Sequence, residues 1–240
     1  MERVVSNIAI IPARGGSKRI PRKNVTPFRG RPMIGWTIEA ALESGVFDTV
    51  LVSTDDTDIA NCARIEGAEV PFLRNVHADD QSPVSEAIIT ALHQAEDHYA
   101  KSFSSVTQLM PNCPLRGAKE IRAAWAQFDS GAHRFQISAF ELGWINPWWA
   151  ARMGADCQPD WLFPEALLSR SQDLDRLYCP TGAIWIAEAP ALVAARSFYG
   201  RGHVLCPMPW QAAIDIDDWS DLHMAEALAE IAARGTVTGA

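Results

Sequence analysis

Residues 13–24 read Ala-Arg-Gly-Gly-Ser-Lys-Arg-Ile-Pro-Arg-Lys-Asn. The cations Arg14, Lys18, Arg19, Arg22 and Lys23 surround a Gly-Gly-Ser turn. No Asp or Glu occurs between Arg3 and Ile38, although the 240-residue chain carries a net charge of -8. Such a loop suits a polyphosphate: glycine lets backbone N–H groups approach phosphate oxygens, and the cations offset their charge. It directly follows the apolar run Ile8-Ala9-Ile10-Ile11, which reads as a buried strand. The loop is not a Walker A loop, because no Gly-Lys-Ser/Thr closes a Gly-x4 spacing. It is not a dinucleotide fingerprint either, because Gly-x-Gly-x-x-Gly is missing.

A second constellation lies near the other end, Ala213-Ile214-Asp215-Ile216-Asp217-Asp218. On a strand, residues two apart face one side, so Asp215 and Asp217 project together while Ile214 and Ile216 turn inward. Adjacent carboxylates repel one another unless a cation lies between them. Mg²⁺ suits the pair, since it takes one or two carboxylates together with phosphate oxygens and water. Asp218 reads as the N-cap of a closing helix. A cationic loop for a nucleoside triphosphate and a carboxylate pair for its metal together describe nucleotidyl transfer, with pyrophosphate as leaving group.

The elements that must position these residues alternate along the front half. Strands are expected over 7–12, 49–53, 68–73, 105–109 and 135–140, and helices over 32–44, 56–66, 84–99 and 119–128. Pro32 near its start and Gly45 after its end mark the first helix. This rhythm predicts an α/β fold with a mainly parallel sheet covered on both faces. Ligands then bind beyond the C-terminal strand ends. That rim would gather the basic loop, the Ser53-Thr54-Asp55-Asp56 turn and the Pro111-to-Arg116 turn. The rhythm breaks over 141–177, where Trp144, Trp148, Trp149 and Trp161 cluster among prolines. That stretch reads as an insertion with an aromatic core, a subunit interface, or both. A strand over 182–187 and a helix over 218–233 close the chain.

The length fits one domain, residues 1–240, with 141–177 as its insertion. The acidic balance speaks against general nucleic-acid or anionic-membrane binding. No apolar run approaches a membrane span, and the short N-terminal apolar stretch is not expected to be a signal peptide. The five cysteines are scattered without a C-x-x-C, which predicts reduced thiols in a cytoplasm. His77, His93, His98 and His133 have no metal-ligand spacing. Trp36, Trp125 and Trp185 read as packing residues. Cys113 reads as a small replacement rather than a nucleophile, because this chemistry needs no covalent intermediate.

Five motifs in order resemble the cytidylyltransferases that activate nine-carbon acidic sugars, the CMP-sialic acid synthetases and their legionaminic and pseudaminic acid relatives. They are Ala13 to Lys18 running on to Pro21-Arg22-Lys23-Asn24; Phe47-Asp48 with Val52 to Asp56; Pro111-Asn112-Cys113-Pro114-Leu115-Arg116; Pro180-Thr181-Gly182-Ala183-Ile184-Trp185; and Ile214-Asp215-Ile216-Asp217. The resemblance implies a Rossmann-like, GT-A-like nucleotidyltransferase sheet with a mid-chain dimerisation insertion, and a homodimer. It implies attack of the sugar's anomeric C2 hydroxyl on the α-phosphorus of CTP, with Mg²⁺. By position, Arg14, Gly15, Ser17, Lys23, Asn24 and Arg74 would bind the nucleotide, with Arg14 and Lys23 also catalytic. Asp215 and Asp217 would hold the metal, and Asp215 would help to deprotonate the attacking hydroxyl.

The chain also departs from the resemblance. Met110 stands where sialic acid members carry Gln, and Gln108 would face the same side at strand spacing. Cys179 replaces the Arg common before Pro-Asn-Gly. Residues 169–174 look like the pseudaminic acid branch, whereas Cys-Pro-Thr-Gly-Ala-Ile is closer to the sialic and legionaminic branch. Arg170 is the candidate for the sugar carboxylate, since Arg pairs such a group bidentately. Two alternatives stand beside this reading: a cytidylyltransferase for an eight-carbon Kdo-type acid, and a non-catalytic nucleotide-binding homologue.

Overall fold

Residues 7–12 alternate between two buried faces, and that alternation makes them the centre of the fold. Ala9 and Ile11 pack on one side of the sheet with Ile34, Ile38, Ile59 and Ile121. Ile8 and Ile10 pack on the other with Ile88, Leu92, Leu192 and Phe198. A strand buried on both faces belongs inside a helix-covered parallel sheet. The computed structural model describes residues 6–75, 83–143 and 145–235, so Trp144 and His77 lie outside the described residues.

The strands are β1 (Asn7–Pro12), β2 (Pro27–Phe28), β3 (Arg31–Pro32), β4 (Thr49–Ser53), β5 (Ser105–Gln108), β6 (Phe135–Glu141), β7 (Ala151–Met153), β8 (Pro159–Trp161), β9 (Tyr178–Glu188) and β10 (Val204–Pro207). The helices are α1 (Met33–Ser44), α2 (Thr57–Ile65), α3 (Val84–Tyr99), α4 (Ala118–Ser130), α5 (Ala189–Ala195) and α6 (Trp219–Gly235). Six strands form one sheet in the order β10-β6-β9-β5-β1-β4. β9 runs antiparallel to both neighbours, and the other five strands share one direction. The expectation of a mainly parallel sheet therefore holds, with one reversed strand near its middle.

Two expectations on strands need correction. Residues 68–73 form no strand, only an isolated bridge from Glu69 to Leu51. The pairing runs Glu69 N–H to Val50 O and Val52 N–H to Glu69 O, and stops at Pro71, which has no N–H to continue it. Residues 214–217 are extended but belong to no strand. Their alternation survives all the same: Ile214 and Ile216 are buried in a third apolar cluster with Ile20, Phe28, Met33 and Leu222. That cluster joins α6 and the basic loop, so both chemical constellations rest on one small core.

Local signals explain the helix ends. Gly45 closes α1 at φ 68, a conformation that favours glycine. Asp56 caps α2, accepting from the N–H groups of Asp58 and Ile59. Asp218 accepts from the N–H groups of Ser220 and Asp221 at the start of α6, as its sequence position suggests. Trp36, Trp125 and Trp185 all pack, edge-on or tilted, against Phe28, Phe47 and Phe198 respectively.

The irregular stretch is framed by β6 and β9. Glu141 pairs with Tyr178, and Leu142 N–H donates to Leu177 O. Between them stand the hairpin β7–β8 and short 3-10 turns, with Trp148 edge-on to Phe163. Its apolar side chains are largely uncovered: Ile145 is 57% exposed, Met153 76% and Leu168 97%. Among the described residues, no helix is long and apolar enough to cross a membrane.

Candidate active site

The basic loop leaves the C-terminal end of β1 and is tied down at several points. Ala13 N–H donates to Ser53 O, extending the β1–β4 pairing by a residue. Gly15 N–H donates to Asp55 Oδ1 at 3.0 Å, and Asn24 Nδ2 to Arg14 O at 2.9 Å. A Cβ on Gly15 would stand 2.7 Å from Asp56 Oδ2, the side chain that caps α2. The first glycine is thus required by close approach to Asp56. Its N–H is donated to Asp55, and Gly15 is not among the residues that line the cavity.

Arg74 enters from the chain after the Glu69 bridge, its N–H bonded to Thr54 O at 2.7 Å. The residue is buried, and its Nε and Nη1 have no partner among the described residues. Burial lowers its pKa; the charge of Asp55 opposes this and that of Arg14 adds to it. A buried, under-bonded guanidinium on a cavity wall calls for an anion.

The opposite wall carries the carboxylates. Lys23 Nζ donates to Asp217 Oδ1 at 2.9 Å and to Ile216 O at 2.7 Å, while Arg19 Nη2 reaches Asp217 Oδ2 at 2.6 Å. Burial works against ionisation of Asp217, but hydrogen bonds to Lys23 and Arg19, with their charges, outweigh it and hold its pKa below the ordinary carboxylate value. Asp215 behaves in the opposite way. It borders the cavity, yet the atoms packed behind its carboxylate, and then the charge of Asp217, push its pKa up to about 6. Lys23 offsets only part of that repulsion. Asn112 Nδ2 donates to Asp215 Oδ1.

A cavity of about 480 Å³ joins the two walls. Arg14, Ser17, Lys23, Asn24, Arg74, Asp215 and Asp217 all line it, together with Lys18, Arg19 and Asn112. The volume falls in the range of small-molecule sites. Among the described residues no group of three His, Cys, Asp or Glu could hold a metal ion. Two carboxylates at alternate positions, one of them destabilised by the other, still fit a hard divalent cation that takes its remaining oxygens from phosphate and water.

Two expected site residues stand elsewhere. Gln108 is sealed within the sheet, its Nε2 donating to Gly182 O at 2.8 Å, and it does not line the cavity. Arg170 lies on the insertion, exposed and paired with Asp173 at 2.7 Å. An exposed pair of this kind is worth about 0–1 kcal/mol and is readily exchanged. Asn112 was not among the expected site residues. Its place on the rim was readable from the turn, but its partner Asp215 is 103 residues away.

Comparison with known proteins agrees with this geometry. A family model described as cytidylyltransferase matches residues 8–126. The chain is 32% identical to the pseudaminic acid cytidylyltransferase of Campylobacter jejuni subsp. jejuni, over 95% of this chain and 97% of that one. It is 34% identical to the CMP-N,N'-diacetyllegionaminic acid synthase of Legionella pneumophila subsp. pneumophila, over 93% and 96%. Among solved structures, CMP:2-keto-3-deoxy-manno-octonic acid synthetase complexed with CTP matches with a TM-score of 0.67 at 16% identity, covering 94% of this chain and 98% of that one. At that identity the likeness concerns the fold.

Cys113 adjoins the carboxylates but is fully buried. Burial, and then the charge of Asp215, push its thiol up to about 12. It therefore stays protonated near neutral pH. Under native conditions at about pH 8, iodoacetamide is expected to alkylate exposed Cys157 and leave Cys113 unmodified. Rapid modification of Cys113, read by peptide mass spectrometry, would contradict its placement.

Proposed function

The chain belongs to the nonulosonic acid cytidylyltransferases, and on that premise we propose that it transfers CMP from CTP to the anomeric C2 hydroxyl of a nine-carbon sialic-type acid. The observation that carries this reading is the convergence of Arg14, Ser17, Lys23 and buried Arg74 with Asp215 and Asp217 on one cavity.

In this reading Arg14, Ser17 and Lys23 bind the triphosphate, and Arg74 turns its under-bonded guanidinium to a phosphate oxygen. Asn24 fixes the main chain of Arg14 and borders the nucleotide. Asp215 and Asp217 would hold Mg²⁺, which when bound draws negative charge from the phosphate oxygens. The C2 oxygen forms a bond to the α-phosphorus. The bond from that phosphorus to the oxygen bridging to the β-phosphorus breaks, and its electron pair leaves with pyrophosphate. The hydroxyl proton passes to Asp215, the carboxylate that borders the cavity beside Asn112. Lys23 and Arg14 are placed to stabilise charge on the phosphates as the bond breaks.

The uncovered apolar side chains of the insertion support a homodimer formed through 141–177. Arg170 stands on the same insertion, outside its own cavity, so pairing of subunits is its route to a bound sugar carboxylate. Light scattering at micromolar concentration is expected to give twice the 26.4 kDa of one chain. A monomer mass would remove this part of the reading.

The activity test is pyrophosphate release from CTP and Mg²⁺ with pseudaminic, legionaminic, N-acetylneuraminic and Kdo acids. Release with one nine-carbon acid is expected; release with Kdo alone would overturn the substrate class. CTP binding without release for any acid would favour a non-catalytic role. Asp217→Ala is expected to abolish turnover while leaving the circular dichroism spectrum unchanged, and retained turnover would refute the metal assignment. Lys23→Ala is expected to raise KM for CTP far more than KM for the sugar. Equal effects on both would refute its triphosphate role.

A further inference from the structure

Among the described residues, the segment that carries the two carboxylates pairs with no strand, yet it is held as if it did. We propose that Asn112 takes the place of that strand and is a positioning residue for Asp215 and Asp217, an inference that rests on the cytidyl-transfer reading above. Ile216 is the residue between the two carboxylates, and both of its peptide groups are engaged by Asn112. Its N–H donates to Asn112 O at 2.9 Å, and its C=O accepts from Asn112 Nδ2 at 3.2 Å. The same Nδ2 donates to Asp215 Oδ1. With Ile216 fixed at both ends and its side chain buried, Asp215 and Asp217 can only project toward the cavity.

The chemistry of the amide makes the arrangement one-way. Nδ2 carries two hydrogens and faces two acceptors, so both are used; the reverse orientation would set Oδ1 against a carboxylate and a carbonyl. Oδ1 is left buried without a partner among the described residues. A residue selected only to fill space would leave no such acceptor unpaired, since an apolar side chain fills a buried site without that cost. The turn behind Asn112 is itself braced. Arg116, fully buried, donates from Nη1 to Ala183 O at 2.7 Å. Ile216 O also accepts from Lys23 Nζ, so the amide and the basic loop meet on one carbonyl. Asn112 thus couples the carboxylate pair to the rigid sheet rim, as residues behind metal-binding side chains do elsewhere, where their loss lowers metal affinity by about 10–100-fold.

The test uses the full chain with CTP and no sugar, so that nothing is turned over, and Mn²⁺ binding is followed by electron paramagnetic resonance. Asn112→Ala is expected to weaken Mn²⁺ binding by about tenfold or more. In steady state it should lower kcat and raise the Mg²⁺ needed for half-maximal rate, with KM for the sugar unchanged. Asn112→Thr and Asn112→Val form a second pair of near-equal size, of which only the first keeps a donor. Thr is expected to bind the ion several-fold more tightly than Val. Wild-type affinity in Asn112→Ala, or equal affinities in the Thr and Val variants of equal thermal stability, would overturn the proposal. Wild-type protein that binds no Mn²⁺ beside CTP would instead bring down the functional reading, and this inference with it.

Discussion

Everything in the site depends on opposite charges being held close to each other at the cavity, with Lys23 largely covered and Arg19 and Asp217 still open to water. Lys23 and Arg19, from one end of the chain, meet Asp217 from the other at 2.9 and 2.6 Å. The cluster of Ile20, Phe28, Met33, Ile214, Ile216 and Leu222 behind them makes that meeting possible, because it fastens α6 and the basic loop to one apolar floor. Compensation is incomplete on both walls. Among the described residues two nitrogens of Arg74 have no partner, and Asp215 is repelled by Asp217. A site with a surplus anion on one wall and a surplus cation on the other is matched by a metal-bound polyphosphate, which carries both signs in that order.

The grouping of charged residues was readable from local signals, whereas contacts between distant segments were not. A cation-rich loop without acids, set after a buried strand, is a local signal, as is a carboxylate pair at alternate positions; neither needs knowledge of distant contacts. The alternation at Ile214 and Ile216 proved correct although the segment joins no sheet, because burial alone enforces it. Other features depended on long-range pairing. Residues 68–73 have strand composition, but Pro71 ends their ladder after one bridge. Gln108 was expected to face the same side as position 110, and its burial with a bond to Gly182 O depends on the pairing of β5 with β9. The crowding of Gly15 by Asp56 also depends on a contact that the loop sequence does not display. Asn112 carries no signal of its own, since its meaning lies in a partner on the far end of the chain.

The reversed strand β9 links the sheet to the insertion. It pairs with β5 over its second half and with β6 over most of its length, with a register shift between Ile137 and Ala139. The β6–β9 pair frames residues 142–177, where Trp148 packs on Phe163 while Ile145, Met153 and Leu168 stay uncovered. The parallel strands gather the charged cavity residues at their C-terminal ends, and the antiparallel pair carries the insertion with its uncovered apolar side chains.

The central claim is that the cavity recognises a triphosphate through fixed cations. Calorimetric titration of CMP, CDP and CTP into the protein with Mg²⁺, at low and at high salt, tests it most directly. Affinity should rise with each added phosphate, and the rise should shrink as salt screens the interaction. Equal affinities for CMP and CTP at low salt would mean that the basic loop and Arg74 do not read the phosphates, and the account would fail.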